Sequence, residues 1–375
     1  MARGAARFGP LLALLLAACA SSPSGPKPAE LVALPKGAAV KELWRAHVGD
    51  GERFVFEPAF AGGSVYAAAR NGTVLRLDSE SGRVLWRASA DMPLSAGVGA
   101  DGRTVAVGNE EGVVAALDAE TGKLRWKARV SSEVIAVPAV AAGLVVVRSL
   151  DNRVFAFAAD DGKRRWVYQR PPSSLIVRVP SGVVLDDETA YAAFRGGKLA
   201  AIALSNGGQR WEATVALPKG ATELERVTDV VGIPALAGRE VCAAAYQGKV
   251  GCFEAASGRP LWSRDVSTLT GVSIDPRYAF VSDDNGAVQS LDRSSGRSVW
   301  KQDKLAHRQL TLPVPVGDLV AVADFEGYVH FLARETGAFV ARYATRDGAV
   351  RAAPLRLPFG VLVQTQSGAL HALAP

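Results

Sequence analysis

Residues 112–126, GVVAALDAETGKLRW, carry every mark of a repeat that runs through the whole chain. The stretch begins at Gly112, reaches a turn at Asp118, and ends at Trp126, four residues after Gly122. All seven tryptophans of the 375-residue chain occupy this last position, and Ala341 fills an eighth slot in the same phase. The tryptophans are Trp44, Trp86, Trp126, Trp166, Trp211, Trp262 and Trp300. This regularity sets the architecture before any chemistry is considered.

Two marks place the turns of each unit. The first is a glycine four residues before the slot, present in every copy that contains this half: Gly82, Gly122, Gly162, Gly207, Gly258, Gly296 and Gly337. The second lies fourteen residues before the slot and is shared by Gly72, Gly112, Asn152, Gly197, Gly248, Gly286 and Gly327, with Gly368 in phase near the end. Glycine takes positive φ without strain and asparagine tolerates it, so the second mark predicts a tight hairpin turn.

Strands fill the space between these marks. Side chains alternate with period two, as in residues 73–77. Asp78, Asp118 and Asp292 then begin another turn. An aspartate at such a position accepts hydrogen bonds from backbone N–H groups, and this role is far more common there than a catalytic one. With one strand before the first turn, each unit has four strands in about forty residues, which is the pattern of a propeller blade.

The slots predict an all-β, eight-bladed β-propeller of four-stranded blades. The C-terminal residues 368–373 supply an inner part of a blade but end before its tryptophan strand, whereas residues 43–46 are a tryptophan strand with nothing before it. We expect these terminal strands to pair and close the ring, which removes exposed sheet edges. The tryptophans are predicted to wedge between neighbouring blades, with Ala341 marking a differently packed junction.

The first residues have the pattern of an export signal. Arg3 and Arg7 precede an apolar run at residues 11–16, which is too short to span a bilayer, and small residues then lead to Cys19. This resembles a bacterial lipobox and implies cleavage before Cys19, acylation of that cysteine and, with Ala20 next, delivery to the outer membrane. An ordinary signal with an incidental cysteine is the alternative.

The predicted organisation is a signal peptide over residues 1–18, an acylated cysteine and flexible tether over residues 19–38, and one propeller over residues 39–375. The tether is rich in Ser, Pro, Gly and Ala. The net charge of +6 is spread along the chain without a Lys/Arg block. Nucleic-acid binding therefore has no support.

Few residues suggest chemistry. Cys242 and Cys252 flank a predicted turn at opposite positions of adjacent strands, so a cross-strand disulfide and two small buried thiols both fit. The four histidines have no metal-ligand spacing, although His330 and His371 share one phase of the repeat. Phosphate loops, nucleophile elbows and paired-carboxylate motifs do not stand out. We therefore expect no catalytic residues, no metal site and no cofactor.

The repeat is longer at two consecutive places. The chain runs 31 residues from Trp166 to Gly197 and 37 residues from Trp211 to Gly248, whereas the corresponding distance from Trp86 to Gly112 is 26 residues. Insertions at one topological position should emerge on one face of the ring, where loops carry function. They contain LIVR at residues 175–178 and LERVTD at residues 224–229, whose aliphatic, arginine and aspartate side chains suit a protein contact. Alternatively, residues 175–177 are the inner strand of blade four.

Several of these stretches resemble the BamB family, lipoproteins of the bacterial outer-membrane β-barrel assembly machinery whose rings are quinoprotein-like propellers. The resemblance covers the lipobox and essentially the whole ring. Its most specific stretches are LIVR at 175–178, RVTDVVGIP at 226–234 and LAHRQLT at 305–311, with support from YQGK at 246–249 and FEGY at 325–328. The chain departs from the family pattern at residues 179–182, and it offers one aspartate in the second loop where relatives can offer two.

The resemblance implies a non-catalytic scaffold on the periplasmic face of the outer membrane. It implies that Leu175, Val177, Arg178 and Asp229 face the periplasmic POTRA domains of BamA, and that other assembly components and unfolded barrel precursors are further partners. We also predict that Arg226, in the same insertion as Asp229, takes part in partner binding. Two other functions compete. A quinone-dependent dehydrogenase shares the blade signature but usually has an adjacent cysteine pair, which this chain lacks. A ligand-sensing propeller of the envelope is the third hypothesis.

Overall fold

The computed structural model describes residues 1, 26–34, 39–171, 178–222 and 224–375. Within these residues, thirty-two strands form eight four-stranded sheets. The strands of blades one to four are β2 (Ala59–Ala61), β3 (Ser64–Ala68), β4 (Thr73–Asp78), β5 (Val84–Ser89), β6 (Ala96–Ala100), β7 (Thr104–Gly108), β8 (Val113–Asp118), β9 (Leu124–Arg129), β10 (Ala139–Ala141), β11 (Leu144–Ser149), β12 (Arg153–Ala158), β13 (Arg164–Gln169), β14 (Val183–Leu185), β15 (Thr189–Phe194), β16 (Lys198–Ala203) and β17 (Gln209–Thr214). None of the described residues forms a helix that is long and apolar enough to cross a membrane.

Blades five to eight complete the ring. Their strands are β18 (Val230–Ala237), β19 (Glu240–Ala245), β20 (Lys249–Glu254), β21 (Pro260–Asp265), β22 (Ser273–Ile274), β23 (Tyr278–Ser282), β24 (Val288–Asp292), β25 (Ser298–Gln302), β26 (Val314–Val316), β27 (Leu319–Ala323), β28 (Tyr328–Ala333), β29 (Phe339–Ala344), β30 (Leu355–Leu357), β31 (Gly360–Gln364), β32 (Ala369–Ala374) and, from the N-terminal side, β1 (Lys41–His47). Each sheet is an antiparallel meander, and the eighth has the order β1-β32-β31-β30. The predicted eight-bladed propeller and its closure by both ends of the chain are confirmed.

Each tryptophan locks its blade to the next one. The indole Nε1 of Trp126, for example, donates to the Ala159 carbonyl at 2.9 Å, and the ring lies so close to Gly162 that a Cβ there would be 2.6 Å from it. The six other tryptophans donate in the same way, at 2.6 to 3.0 Å, to a carbonyl in the corresponding turn of the following blade. The glycine four residues before each slot therefore has two duties: it takes positive φ, near 70°, and it leaves room for the preceding blade's indole.

The alanine in the eighth slot follows from where the ring closes. A tryptophan at position 341 would need the turn between the third and the outermost strands of blade eight. These strands are β32 and β1, at opposite ends of the chain, so that turn does not exist. The buried Ala341 packs instead in an apolar cluster that includes Val40, just before β1. The differently packed junction expected from the sequence is therefore a consequence of closure.

The second predicted turn has one exception to its steric rule. Asn152 has φ of 66°, as the glycines in phase with it do, which confirms that the position needs positive φ. Gly248 does not, however, and the preceding residue Gln247 takes φ of 48° instead. At Gly248 the lack of a side chain serves packing, because a Cβ there would be 2.7 Å from the Cβ of Ala216. The aspartate caps are confirmed, as in Asp118, whose Oδ1 accepts the Thr121 N–H at 2.8 Å.

The ring has two different faces. The turn between the second and third strands of each blade, and the connection from its outermost strand to the next blade, both lie on one face, which we call the loop face. The turn between the first and second strands, and in blades one to seven the turn between the third and fourth strands, lie on the opposite face. Apolar side chains fill the junctions between blades, as where Val107 and Leu117 of blade two pack with Tyr66 and Val74 of blade one.

We predict that Gly162→Ala will destabilise the ring much more than Gly143→Ala. Both glycines have φ near 70°, so both substitutions carry the same backbone strain. A Cβ at Gly143 would meet nothing within 4 Å, whereas a Cβ at Gly162 would overlap the Trp126 ring. The clash should cost about 1–3 kcal/mol beyond the strain. Thermal unfolding of the two purified variants measures the difference, and equal melting temperatures would contradict the interlock.

Candidate functional site

Two enlarged connections dominate the loop face. They run over residues 170–182, between β13 and β14, and over residues 215–229, between β17 and β18. Leu175 and Val177 lie outside the described residues. The alternative interpretation of residues 175–177 also falls outside them; the innermost strand that the structure describes in blade four is β14, which begins at Val183.

Hydrogen bonds join the end of the first connection to the start of β18, directly after the second connection. Ser181 and Gly232 form a parallel bridge, in which the Gly182 N–H donates to the Gly232 carbonyl at 2.9 Å and the Gly232 N–H donates to the Pro180 carbonyl at 3.0 Å. The Ser181 hydroxyl adds a bond of 2.9 Å to the Val230 carbonyl. The segment that departs from the family pattern thus fixes the end of the first connection against the start of β18, the strand that directly follows the second connection.

Arg178 reaches from the first connection towards blades two and three. Its Nη2 lies 2.6 Å from Glu133 Oε2 and 3.3 Å from Glu110 Oε1, while 47% of the side chain stays exposed. Glu110 is shared with two more arginines, at 2.6 Å from Arg53 and 3.0 Å from Arg70. Arg178 is therefore a half-exposed cation held in place by carboxylates of neighbouring blades.

Asp229 has a different position from the one expected. The sequence predicts that Asp229 faces a partner together with Arg178, but the Asp229 side chain is only 4% exposed. Its Oδ1 accepts the Gly196 N–H at 3.2 Å, and its backbone forms a bridge with Arg195. A buried carboxylate in this position stabilises the ends of the loops. The prediction that the Asp229 side chain meets a partner's surface directly is corrected accordingly.

Two buried arginines explain why a carboxylate is buried there. Arg148 and Arg195 are both more than nine-tenths buried. Burial, and then the charge of Arg195, lower the pKa of Arg148 to about 10, while Asp229 acts in the opposite direction. Burial likewise lowers the pKa of Arg195, again opposed by Asp229. Both guanidinium groups remain charged at neutral pH, and the Asp229 carboxylate offsets part of the cost of burying them.

The second connection exposes apolar and basic groups. Leu217 and Leu224 are 64% and 72% exposed, which is unusual for side chains of this size. Arg226 is also exposed, at the end of a short turn in which its N–H donates to the Thr222 carbonyl at 3.1 Å. These leucines beside a basic residue have the composition of a contact surface.

Sequence reasoning missed the acidic partners of Arg178. Glu110 lies in the second-to-third strand turn of blade two, and Glu133 lies in the connection that follows that blade. The pair of acidic residues directly before Gly112 was the available signal, but only the closed ring shows that it faces Arg178.

The other residues singled out in the sequence have structural surroundings. Cys242 and Cys252 face each other across β19 and β20 and are joined by a disulfide that is fully buried. His330 contacts Asp324, whereas His371 contacts Glu42 and Asp347. In the part of the chain that the structure describes, no three His, Cys, Asp or Glu side chains come together to hold a metal ion. Cys19 lies outside that part.

Comparisons with known proteins agree with one another. A family model described as "Outer membrane protein assembly factor BamB" matches residues 27–90 and 70–302. The outer membrane protein assembly factor BamB of Bordetella pertussis is 46% identical over 345 residues, which cover 92% of this chain and 89% of that protein. The crystal structure of BamB from Moraxella catarrhalis superposes with a TM-score of 0.82 at 25% identity and covers 90% of this chain and 100% of that one.

A redox enzyme shares the fold at a greater distance. Quinohemoprotein alcohol dehydrogenase from Comamonas testosteroni has a TM-score of 0.70 at 12% identity, over 89% of this chain and 76% of that enzyme. This likeness shows a common fold and carries no information about chemistry.

We predict that Asp229→Ala will lower the free energy of unfolding by about 3 kcal/mol or more, because it leaves two buried arginines with less opposing charge. Arg226→Ala, three residues earlier and exposed, should change stability by about 0.5 kcal/mol at most. Chemical denaturation of the two variants tests this assignment. Equal stability would show that Asp229 does not offset the charge of the buried arginines.

Proposed function

The chain belongs to the BamB family of outer membrane protein assembly factors, and on that premise we propose that its loop face binds the periplasmic POTRA domains of BamA. The relatives are named as an assembly factor, so this chain is a non-catalytic accessory protein and not an enzyme. Its work is to support the folding and insertion of β-barrel proteins into the outer membrane. The similarity to a quinohemoprotein dehydrogenase supports the fold alone.

The observation that carries the proposal is the coupling of the two enlarged connections. The bridge between Ser181 and Gly232 joins the end of the first connection to β18, the strand in which the second connection ends. The two connections then present a half-exposed arginine, Arg178, on one and two exposed leucines on the other. Binding hot spots usually combine a basic side chain with apolar side chains that lose their contact with solvent in the complex.

The exposed part of Arg178 suits an acidic partner surface. Glu110 and Glu133 restrict the Arg178 side chain, so less side-chain entropy is lost when a partner binds. Arg53 and Arg70 also contact Glu110, and Arg70 lies 3.5 Å from Glu52 as well, so three arginines and three carboxylates balance one another in this patch. Because 47% of the Arg178 side chain is exposed, a partner carboxylate can approach it while its present contacts persist, and such charge pairs accelerate association.

We place the protein on the periplasmic face of the outer membrane, anchored by acyl chains on Cys19. The motif before Cys19 supports this, because two or more acyl chains give durable membrane binding whereas one gives marginal binding. Other components of the assembly machinery, and unfolded barrel precursors, are the further partners that this position makes accessible.

We predict that Arg178→Glu will weaken binding to the isolated BamA periplasmic domains by about tenfold or more, because it places a like charge against an acidic surface. The matched control is Arg239→Glu, which makes the same charge change at a side chain that is 92% exposed in a turn on the opposite face. Titration calorimetry with the folded variants gives both dissociation constants.

The control decides how a loss is interpreted. If Arg239→Glu weakens binding as much as Arg178→Glu does, overall charge and not the loop face accounts for the effect. If neither variant differs from the native chain, Arg178 does not lie in the interface and the proposed site is wrong.

A further inference from the structure

Residues 26–34 lie against blade seven, although their composition predicts a free tether. The Ala29 N–H donates to the Ala306 carbonyl at 2.9 Å, and Arg308 Nη1 donates to the Ala29 carbonyl at 3.0 Å. Further along, Arg342 Nη1 donates to the Val32 carbonyl at 3.1 Å. Three hydrogen bonds therefore hold the main chain of this segment to the ring.

Two of the three guanidinium nitrogens of Arg308 bind carboxylates, which leaves Nη1 for this segment. Its side chain is buried, its Nε donates to Asp324 Oδ2 at 2.7 Å, and its Nη2 donates to Glu326. The residues on either side of Arg308, His307 and Gln309, both have positive φ, of 59° and 47°. Such conformations are unfavourable for residues with a side chain and persist only where the surroundings impose them.

Arg342 is held in a similar way on β29. Its Nε donates to His330 Nδ1 at 3.1 Å, and His330 Nε2 lies 3.0 Å from the same Asp324 carboxylate that binds Arg308. Because Nδ1 accepts a bond from an arginine, the His330 ring is neutral with its proton on Nε2. Burial, only partly opposed by Asp324, lowers the pKa of His330 in agreement with this. One buried network thus orients both arginines that hold the segment.

Some side chains of the segment also face the ring. Ala29, Leu31 and Leu34 are half-buried, whereas Glu30, Val32 and Ala33 are exposed. Apolar residues on the inner side are not expected in a tether that only spans distance. The segment therefore contacts the ring through its side chains as well as its main chain.

The path of the segment determines where the chain leaves the ring. Ala306 lies on the loop face, next to the turn in which the Asn285 carbonyl accepts the His307 N–H at 2.9 Å. Strand β1 ends on the loop face, where the Val48 N–H donates to the Gly368 carbonyl, so it starts at Lys41 on the opposite face. Ala29 consequently lies at the loop face, whereas β1 begins at the opposite face.

We infer that residues 26–34 are a strap that makes the lipid-linked end leave at the loop face and holds that face towards the bilayer. This rests on the proposed acylation of Cys19. Ala29, the first residue of the segment that is hydrogen-bonded to the ring, is ten positions after Cys19, so the chain between them spans at most about 35 Å. Released up to Lys41, it would span about 75 Å and leave from the opposite face. The partner-binding connections, two and three blades away, remain uncovered.

Fluorescence energy transfer to the membrane tests the strap. The full acylated chain is reconstituted into phospholipid vesicles that contain an acceptor-labelled lipid, after labelling at a new surface cysteine. Lys304→Cys places the donor on the loop face of blade seven, and Thr336→Cys places it on the opposite face, both at exposed positions. Labelling is specific because Cys242 and Cys252 are buried in a disulfide and Cys19 carries the anchor.

Each labelled chain is compared with two variants at position 29. Ala29→Pro removes the N–H that Ala306 accepts, whereas Ala29→Ser retains it. We expect stronger transfer from position 304 than from position 336 in the native chain and in Ala29→Ser, and loss of this difference in Ala29→Pro.

The outcomes separate the strap from the proposed anchor. A chain that does not float with the vesicles overturns the acylation and, with it, the strap. A chain that floats but transfers equally from both positions, or whose difference survives Ala29→Pro, overturns the strap and leaves the anchor and the BamA-binding proposal intact.

Discussion

The contact between each indole and the glycine of the following blade is the constraint on which the rest of the structure depends. A four-stranded sheet cannot bury both of its faces alone, so every blade needs its neighbours. Here the indole packs directly against a glycine, and any side chain at that glycine position would clash with the ring. The indole N–H donates to a turn carbonyl that would otherwise be buried without a hydrogen bond. Seven such contacts and one strand-closed junction hold the loop face in a fixed geometry.

A fixed ring allows the connections to vary without cost to the fold. The same architecture is found in quinohemoprotein dehydrogenases at 12% identity, so the blades do not determine the chemistry. In this chain the variation lies in two neighbouring connections, and the bridge between Ser181 and Gly232 joins the end of the first to the strand that follows the second. Asp229 balances the buried Arg148 and Arg195 next to them. The charge that stabilises the connections, on Asp229, and the charge proposed to meet a partner, on Arg178, are therefore on different residues.

Sequence patterns were sufficient for the fold because the rules behind them are local. Positive φ at a turn and a tryptophan four residues after a glycine can be read within a few residues of chain, and their spacing then gives the number of blades. The burial of Asp229 could not be predicted, because Arg148 and Arg195 come from other blades. The docking of residues 26–34 depends on Arg308 and Arg342, which are 279 and 310 residues away in sequence from the residues they bind. Gly248 kept its glycine for packing and not for φ, a distinction that only the structure makes.

Photo-crosslinking in cells tests the central claim, that the loop face is the surface that meets BamA, most directly. A photoreactive amino acid would replace Arg226, which is exposed on the loop face, or Lys163, whose side chain is 80% exposed on the opposite face of blade three. Our account predicts an adduct with BamA from position 226 and none from position 163. An adduct from position 163 alone would contradict it, because the ring would then meet its partner with the face that carries no enlarged connection.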